Sequence, residues 1–277
     1  MSVYDLHTHS TASDGAYSPS ELVRQAGAAG VTALALTDHD STAGLAEAEV
    51  TALEAGIRLI PGVEVSATWA DKTIHIVGLR IDPDCDVLKQ GLARLQAIRD
   101  ERAQEMGRRL DRYGVPGTFE AAREMAGDGM ITRTHFARYL ASLGLAGSVK
   151  DVFERFLTRG KPGYVPTRWA EMADVIDWIR EAGGVAVLAH PQRYKLTASW
   201  MRRLIGEFKE CGGAALEVVS GTASPSETQS SAEYARRFEL CASCGSDFHS
   251  PETVWVKLGR LPPLPSNLTP VWSLWNS

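Results

Sequence analysis

Two histidines near the start of the chain, His7 and His9, are spaced for metal binding. Apolar and polar residues alternate from Val3 to His9, which is the pattern of a strand, and residues two apart on a strand lie on the same face. The Ser- and Asp-rich run before Gly15 predicts a loop that returns Asp14 over the end of this strand. Imidazole and carboxylate ligands together suit Zn, Mn or Fe. We therefore predict a metal site at the end of the first strand.

Further His, Asp and Glu residues stand at comparable positions, within or just after short apolar runs. With the first three they form a set of nine candidate metal ligands: His7, His9, Asp14, His39, Glu64, His75, His190, Asp247 and His249. An ion that keeps one position open for water takes three or four protein ligands, so nine ligands suffice for two or three ions. Clustered ions favour phosphoester hydrolysis, because they activate a water molecule and offset charge on the phosphoryl group.

Glu64 is the carboxylate that we expect to bridge two of these ions. It lies in an apolar segment, and a buried Glu without a partner is costly, so a cation is the simplest explanation for it. Asp5 lies on the same predicted strand face as His7. We expect it to accept a hydrogen bond from the His7 ring nitrogen that does not face the metal.

Alternating helix and strand patterns separate the candidate ligands. Ser18 and Glu21 form a capping box around Pro19, which predicts a helix that ends at Gly30. The apolar run 31–36 then predicts a strand covered on both faces, and the same alternation returns in the last part of the chain. Because ligands in parallel α/β folds lie beyond the carboxyl ends of the strands, an α/β fold would gather the nine residues at one end.

The middle of the chain differs from its flanks in pattern and in charge. Apolar residues recur there at helical spacing. The segment from Cys85 to Arg168 holds 15 Lys and Arg against 10 Asp and Glu, whereas the remainder holds 14 against 24. We predict an α/β unit in two parts, residues 1–83 and 167–277, with a basic helical insertion at residues 84–166. A basic face above an acidic metal site suits a phosphorylated substrate; the alternative is a solvated arginine-rich helix.

The composition excludes several classes of protein. With 277 residues, 44% of them apolar, the chain can bury a sizeable core. No apolar run approaches the roughly 20 residues of a membrane span. The N-terminus has no basic and apolar leader, so we expect a cytoplasmic protein without a membrane partner. Four scattered cysteines do not make a disulfide framework, and we expect reduced thiols.

Six motifs follow one another in order along the chain. They are Asp5-Leu6-His7-Thr8-His9-Ser10, Thr37-Asp38-His39-Asp40, Gly62-Val63-Glu64, His75, Ala189-His190-Pro191 and Gly245-Ser246-Asp247-Phe248-His249. Their types and order resemble those of the PHP (polymerase and histidinol phosphatase) family of metal-dependent phosphoesterases. The resemblance implies a distorted (β/α)7 TIM-like barrel with an inserted helical subdomain and a trinuclear metal centre. It implies three ligand sets: His7, His9, Glu64 and Asp247; Glu64, His75 and His190; and Asp14, His39 and His249.

Less specific matches point to one group within that family. They are Arg99-Asp100-Glu101-Arg102-Ala103, Ile131-Thr132-Arg133-Thr134-His135, Arg159-Gly160-Lys161-Pro162-Gly163-Tyr164-Val165-Pro166 and Ala189-His190-Pro191-Gln192-Arg193-Tyr194-Lys195-Leu196. The group that they resemble contains ribonuclease AM and the nucleoside 3',5'-bisphosphate phosphatases. The resemblance implies a hydrolase that uses a metal-activated hydroxide. Its substrates would be a terminal phosphate or phosphodiester of small nucleotides, such as nucleoside 3',5'-bisphosphates, or of short 5'-phosphorylated RNA.

On this interpretation basic residues hold the phosphate groups of the substrate. Six are assigned to it: Arg99, Arg102, Arg133, His135, Lys161 and Arg193. The acid that protonates the leaving group is Asp247, His249 or a metal-bound water, and Mn is the expected metal, with Fe or Zn as alternatives. Two other functions remain open: a histidinol phosphatase or general phosphomonoesterase, and a noncatalytic metal-stabilised module that binds RNA or protein. The sequence indicates no DNA partner and leaves the oligomeric state open.

Overall fold

The computed structural model describes residues 2–276, and a mixed β-sheet lies at its centre. Its strands are β1 (Tyr4–Asp5), β2 (Ala33–Leu36), β3 (Arg58–Trp69), β4 (Lys72–Leu79), β5 (Ala170–Glu171), β6 (Val185–Leu188), β7 (Ala215–Ser220) and β8 (Cys241–Gly245). Seven of them follow the order β1-β2-β3-β4-β6-β7-β8, and the short β5 pairs with β3 away from this path.

The sheet closes on itself between β8 and β1. The N–H of Leu6 donates to the carbonyl of Cys244, and the N–H of His9 donates to that of Phe248, each at 3.0 Å. β4 runs antiparallel to both of its neighbours, whereas the other pairs along the path are parallel. The expected α/β class and distorted (β/α)7 TIM-like barrel are thereby confirmed, and β4 is the strand that departs from an all-parallel barrel.

Helices surround this barrel and extend beyond it. Those of the described residues are α1 (Pro19–Ala28), α2 (Leu45–Ala55), α3 (Asp86–Arg112), α4 (Thr118–Ala126), α5 (Arg133–Ser142), α6 (Val149–Val152), α7 (Met172–Glu181), α8 (Ala198–Glu210) and α9 (Pro225–Arg237). The Ser18 side chain accepts from the N–H of Glu21, so the predicted start of α1 is confirmed. Within residues 2–276, none of these helices is long and apolar enough to cross a membrane.

Two strands differ in length from their sequence patterns. β1 has two residues instead of alternating through His9, because the chain from Leu6 onward pairs with the irregular segment that follows β8. The apolar pattern of residues 57–65 predicts a strand that ends at Val65, whereas β3 continues to Trp69 because it forms a long antiparallel hairpin with β4. Both differences come from pairing partners that are distant from the local pattern.

A compact apolar cluster fills the barrel toward the end opposite the candidate ligands. Its buried members are Leu6, Ala35, Ile60, Val77, Leu79, Val187, Ala189, Ala215, Val271 and Trp275. The final helical turn, Val271–Asn276, closes this end, and Trp272 stacks on Tyr4 with ring centroids 4.0 Å apart. This packing closes the end opposite the candidate ligands, which is also where the antiparallel strand β4 ends, at Leu79.

Helices α3 to α6 build a second apolar cluster beside the barrel. The first half of α3 packs Leu88 and Leu92 into the main core, whereas its second half contributes Met106 and Leu110 to the second cluster. Phe136 of α5 is the largest fully buried side chain of that cluster. The proposed chain division at residues 84 and 166 stays a prediction.

Candidate metal centre

The nine predicted ligands meet at one end of the barrel. They follow strands β1, β2, β6 and β8 or lie within the β3–β4 hairpin. Three groups of residues have ligand atoms that all lie within 4.8 Å of one another: His7, His9, Glu64 and Asp247; His39, Glu64 and His75; and His9, Asp14, His39 and His249. Each group offers the three or four ligands that one ion requires.

Glu64 lies at the centre of the cluster. Its Oε1 atom lies 2.8 Å from Nδ1 of His75 and 2.9 Å from Nε2 of His190. Its Oε2 atom lies 3.3 Å from the Nε2 atoms of both His7 and His9. Because the two carboxylate oxygens face different imidazoles, Glu64 is placed as a bridging carboxylate would be.

Asp14, His39 and His249 extend the cluster toward the opening of the barrel. Nδ1 of His39 lies 2.8 Å from Oε2 of Glu64, and its Nε2 lies 3.9 Å from Oδ1 of Asp14. Nε2 of His249 lies 3.4 Å from the same Asp14 oxygen. The side chain of His249 is 27% exposed, whereas that of Glu64 is 1% exposed. A substrate would therefore meet this group first.

The assignment of ligands to individual ions stays a prediction. His39 is close enough to Glu64 and to Asp14 to belong to either of two groups. Of the carboxylates in these three groups, only that of Glu64 contacts His190 within the described residues. The geometry supports shared ligands more readily than three separate sets.

Seven polar atoms of this cluster are buried without a hydrogen-bond partner among residues 2–276. They are Nε2 of His7, both ring nitrogens of His9, Oδ1 of Asp14, Nδ1 of His39, Oε2 of Glu64 and Nδ1 of His190. A buried polar atom without a partner costs about 1–3 kcal/mol. Divalent cations would provide these nitrogen and oxygen atoms with partners, so the donor set fits metal binding.

At Glu64 and His9, burial and neighbouring charges favour the protonation states that coordinate metals. Burial opposes ionisation of Glu64, but the imidazoles of His39 and His75 hold its pKa well below the usual range. Burial and the neighbouring His249 lower the pKa of His9 to about 3. A carboxylate and a neutral imidazole are the forms in which these side chains bind cations.

Glu217 on β7 orients the first histidine of the cluster. Nδ1 of His7 donates to Oε2 of Glu217 at 2.7 Å, so Nε2 of His7 faces Glu64. Such a hydrogen bond fixes the tautomer of a metal-binding imidazole and the direction of its ring. The sequence signal for Glu217 was the same as for Glu64, a Glu within an apolar strand, but it was not used.

The expectation that Asp5 performs this task is wrong. Its Oδ1 atom accepts from the N–H of Ser246 at 2.7 Å, and its Oδ2 atom accepts from the N–H of Gly259 at 3.0 Å. β1 ends at Asp5, so the strand alternation that would have placed Asp5 beside His7 does not continue. Asp5 instead ties the backbone after β8 to β1.

Asp38 fixes the loop that carries Asp14. It accepts from the N–H of Ser10 at 2.8 Å and from the hydroxyls of Ser10 and Ser13, each at 2.6 Å. All these groups are buried. The neighbouring His39 therefore projects from a segment that is held on both sides by hydrogen bonds.

Three residues around the cluster adopt left-handed backbone conformations. The φ angles are +47° at Asp40, +28° at His190 and +54° at Asp247. Such conformations cost energy in residues other than glycine and concentrate at functional sites. Here they turn the chain sharply at the ends of β2, β6 and β8, where the ligands emerge.

Two threonines of α5, which the sequence did not single out, also contact the cluster. The hydroxyl of Thr134 donates to Oδ2 of Asp14 at 2.8 Å, and that of Thr132 donates to the same oxygen at 3.2 Å. The contacts join residues at least 118 positions apart. No local sequence pattern predicts such a contact, because the contact depends on how the helical region lies over the barrel.

A cavity of about 490 Å³ opens onto the metal cluster, and Arg99 is fixed in its wall. Its Nε donates to Oδ2 of Asp40 at 2.6 Å, and its Nη2 donates to the hydroxyl of Ser66 at 2.8 Å. Arg99 is 5% exposed. A buried guanidinium with one carboxylate partner presents its remaining donors in a fixed direction.

Arg102 and Arg133 line the same cavity but form no ion pair within residues 2–276. The Arg102 guanidinium lies over the ring of Trp169, and that of Arg133 lies over the ring of Phe153. Burial and the charge of Arg133 lower the pKa of Arg102 well below its usual range, and burial and Arg99 lower that of Arg133. A bound anion would offset this repulsion.

Two of the six residues assigned to the substrate lie away from this cavity. His135 is buried, and its Nδ1 accepts from the N–H of Thr132, so it caps α5. Lys161 lies in a separate surface depression beside Arg109. The structure therefore brings Arg99, Arg102 and Arg133 to the metal cluster, but not His135 or Lys161.

Arg193 reaches the cluster from the opposite side. Its Nη1 forms an ion pair with Oδ2 of Asp247, and its Nη2 donates to the hydroxyl of Thr222 at 3.1 Å. It also lines the cavity that contains the three arginines. Arg193 thus lies between the predicted metal ligand Asp247 and the cavity.

A barrel with a buried His, Asp and Glu cluster at the carboxyl ends of its strands defines a metal-dependent hydrolase. The PHP domain model matches residues 5–187, which is more than half of the chain. The chain belongs to the PHP domain family and is a metal-dependent phosphoesterase with divalent metal ions as cofactors.

Several relatives are similar over nearly the whole chain. The 5'-3' exoribonuclease Rnm of Escherichia coli is 46% identical, with 99% of this chain and 94% of that protein covered. The 3',5'-nucleoside bisphosphate phosphatase of Chromobacterium violaceum is 45% identical, with 98% of this chain and 96% of that protein covered.

Solved structures show the same relationship. An amidohydrolase from Chromobacterium violaceum, determined with bound sulfate and no metal, superposes with a TM-score of 0.95 at 44% identity and covers 99% of this chain and 96% of its own. A protein from Bifidobacterium adolescentis, assigned as a metal-dependent phosphoesterase, superposes with a TM-score of 0.83 at 29% identity and covers 99% and 94%.

Proposed function

We propose that the protein hydrolyses the 3'-phosphoester of nucleotides that carry a 5'-phosphate. The substrates would be nucleoside 3',5'-bisphosphates and short 5'-phosphorylated RNA. The observation that carries the proposal is a cluster of three arginines, Arg99, Arg102 and Arg133, in the same cavity as the metal centre. A simple monoester would need the metal centre alone, whereas a substrate with two phosphates would use both the metal centre and the arginine cluster. The names of the relatives agree with this choice.

The nine ligand residues would hold two or three divalent ions, and we propose Mn as the metal. The ions would lower the pKa of a water molecule and neutralise charge on the phosphoryl group. Glu64, with an oxygen toward each half of the cluster, would bridge two of them. Reconstitution of metal-free protein with Mn, Fe or Zn, followed by activity measurements, would test the choice of metal.

The proposed reaction breaks the bond between phosphorus and the 3'-oxygen. A water oxygen bonds to phosphorus, and the 3'-oxygen takes up a proton as it leaves. Arg193 forms an ion pair with Oδ2 of Asp247. His249, in contrast, lines the cavity, and its side chain is 27% exposed. We therefore propose that His249, rather than Asp247, lies beside the leaving oxygen. It would protonate this oxygen only in a centre of two ions that the other eight ligand residues hold, because an imidazole that binds an ion has no proton to donate.

The arginines would hold the 5'-phosphate. Arg99 is anchored by Asp40, so it can fix the position of a phosphate without moving. Arg102 and Arg133 have no carboxylate partner among the described residues, so their charges are available to an anion. Charge-assisted hydrogen bonds to phosphate are among the stronger polar contacts in proteins.

The first prediction concerns Arg133→Ala. It should lower kcat/KM for adenosine 3',5'-bisphosphate by about ten- to a hundredfold, the value of one charge-assisted contact. The loss for adenosine 3'-monophosphate, which lacks the 5'-phosphate, should be no more than about twofold by the same argument. Phosphate release with both substrates measures this.

Arg112→Ala is the matched control, because Arg112 is exposed and lies outside the cavity. It should leave both substrates unaffected. Equal losses with both substrates in Arg133→Ala would contradict the assignment of the 5'-phosphate to the arginines. In that case the histidinol phosphatase or general phosphomonoesterase activity would be the better interpretation.

We also propose that the enzyme acts in the cytoplasm, because that compartment holds its proposed nucleotide and RNA substrates. Cell fractionation followed by immunodetection would test this location.

A further inference from the structure

A second cavity, of about 510 Å³, lies next to the metal centre. Its wall combines the turn after β6 with the end of β7 and the start of α9, and Lys150 of α6 closes it from the helical region. His190 and Arg193 line both this cavity and the one with the arginines. The two cavities are therefore neighbours that share the metal-centre wall.

The side chain of Arg193 forms that shared wall. One end of its guanidinium pairs with Asp247 at the metal centre, and the other donates to Thr222, which lines the second cavity. A phosphoryl group held between the metals and Arg193 would therefore lie at the entrance to the second cavity. A substituent on that phosphoryl group can extend into it.

Two side chains in the wall of the second cavity have polar atoms without a partner. Oε1 of Glu217 and Oγ of Ser220 make no hydrogen bond among the described residues, and the two residues are 3% and 8% exposed. Unpaired buried atoms of this kind are costly. Hydroxyl or amino groups of a ligand would satisfy them, and those are the groups that a nucleoside offers.

Two lysines and one carboxylate, that of Glu227, lie at the outer part of the same cavity. Lys150 and Lys195 both line it, and both are exposed. Neither was needed for the metal centre or for the arginine cavity. Two lysines beside a cavity with unpaired polar atoms suit a ligand that has a nucleoside and a further phosphate.

This inference rests on the proposed function. In a nucleoside 3',5'-bisphosphate, the phosphorus at the metal centre is bonded to the 3'-ester oxygen and to terminal oxygen atoms that carry no further group. In RNA, one of those oxygens is the 5'-oxygen of the next nucleotide. We infer that the second cavity holds this next nucleotide, with Lys150 and Lys195 beside its 3'-phosphate.

The reaction is then the same for both substrates. Cleavage between phosphorus and the 3'-oxygen of the first nucleotide releases a 5'-mononucleotide, and its 3'-oxygen takes the proton. The phosphate, completed by the water oxygen, stays on the second nucleotide. The shortened RNA again has a 5'-phosphate for the arginines, so the second cavity makes the same site an exoribonuclease that starts from the 5' end.

The test compares two substrates in variants of the second cavity. The double substitution Lys150→Gln and Lys195→Gln removes its two lysine charges, and Ala223→Trp fills it with an indole ring. Each variant should lower kcat/KM for a 5'-phosphorylated trinucleotide by about tenfold or more, and change that for adenosine 3',5'-bisphosphate by about twofold at most. Lys209→Gln is the control, because Lys209 pairs with Glu239 away from both cavities.

Each outcome distinguishes the inference from the proposed function. Equal losses on both substrates, or no loss on the trinucleotide in either variant, would overturn the inference and leave the proposed function intact. Wild-type protein that hydrolyses the bisphosphate but not the trinucleotide would overturn the inference and restrict the proposed function to nucleoside 3',5'-bisphosphates. Wild-type protein that hydrolyses neither substrate would overturn both the inference and the proposed function. Circular dichroism spectra like that of the wild-type protein would show that the variants are folded.

Discussion

Glu64 shows how a single residue organises the chemistry of this protein. It is buried, yet its two oxygens face the imidazoles of histidines from four separate chain segments, including His75 and His190. Without ions, several atoms of this cluster have no hydrogen-bond partner in the described residues. The cluster therefore depends on bound metal, and on the side chains that fix the direction of each ligand.

Glu217→Gln tests that dependence at the scale of one residue. The amide can still accept from Nδ1 of His7, but it lacks the negative charge that makes His7 a better ligand. We expect metal affinity or activity to fall by about 10- to 100-fold, as is usual when the partner of a ligand is changed. Titration of the metal-free variant with metal in a calorimeter measures the change in metal affinity.

Glu233→Gln is the matched control, because Glu233 is exposed on α9 and lines neither cavity. It should bind metal as the wild-type protein does. Unchanged metal affinity in Glu217→Gln would show that the contact between Glu217 and His7 is not needed for binding.

The positions of the ligands could be predicted from the sequence, but their supporting contacts could not. His-x-His spacing and the polar residues after apolar runs are local signals, so they indicated the eight candidate ligands that form the three groups and His190, which contacts Glu64. The partner of His7 depends on the arrangement of β7 beside β8 and β1, which no local pattern records. The incorrect choice of Asp5 over Glu217 has this cause.

At the scale of elements, the closure of the barrel brings β8 so close to β1 that one position requires glycine. A Cβ atom on Gly245 would lie 2.2 Å from Cβ of His7, which is far inside van der Waals contact. The backbone of β8 would have to move away from β1. His7 and Asp247 lie at this junction, so the movement would also change the metal centre.

Gly245→Ala should therefore destabilise the protein by about 1–3 kcal/mol, as is typical of overpacking, and weaken metal binding. Gly206→Ala on α8 is the control, because its Cβ would meet only Phe238 at 3.6 Å. That change should be neutral or stabilise the helix by up to about 1 kcal/mol. Chemical denaturation of both variants measures the difference, and equal stabilities would contradict the close approach of β8 and β1.

Helices were easier to predict than strands for a physical reason. Capping residues and apolar spacing are local, so α1 begins and ends close to its predicted positions. The early end of β1 and the extension of β3 depend on pairing with distant segments. The sequence pattern describes which faces are apolar, but it does not describe how far a partner strand continues.

At the scale of the whole molecule, a basic helical region lies over an acidic barrel end. The charge difference between the middle of the chain and its flanks is visible in the sequence. The charge difference does not show which basic residues face the cavity; the family motifs pointed to Arg102 and Arg133, which line it and lie over Trp169 and Phe153. His135 and Lys161 belong to the same basic region and lie elsewhere.

The most direct test of this account is the release of inorganic phosphate by Mn-loaded protein. Adenosine 3',5'-bisphosphate, adenosine 3'-monophosphate and histidinol phosphate would be compared at matched concentrations, with and without a chelator. The account predicts that turnover is fastest with the bisphosphate and is abolished by the chelator. Preference for histidinol phosphate, or turnover that survives complete metal removal, would contradict it.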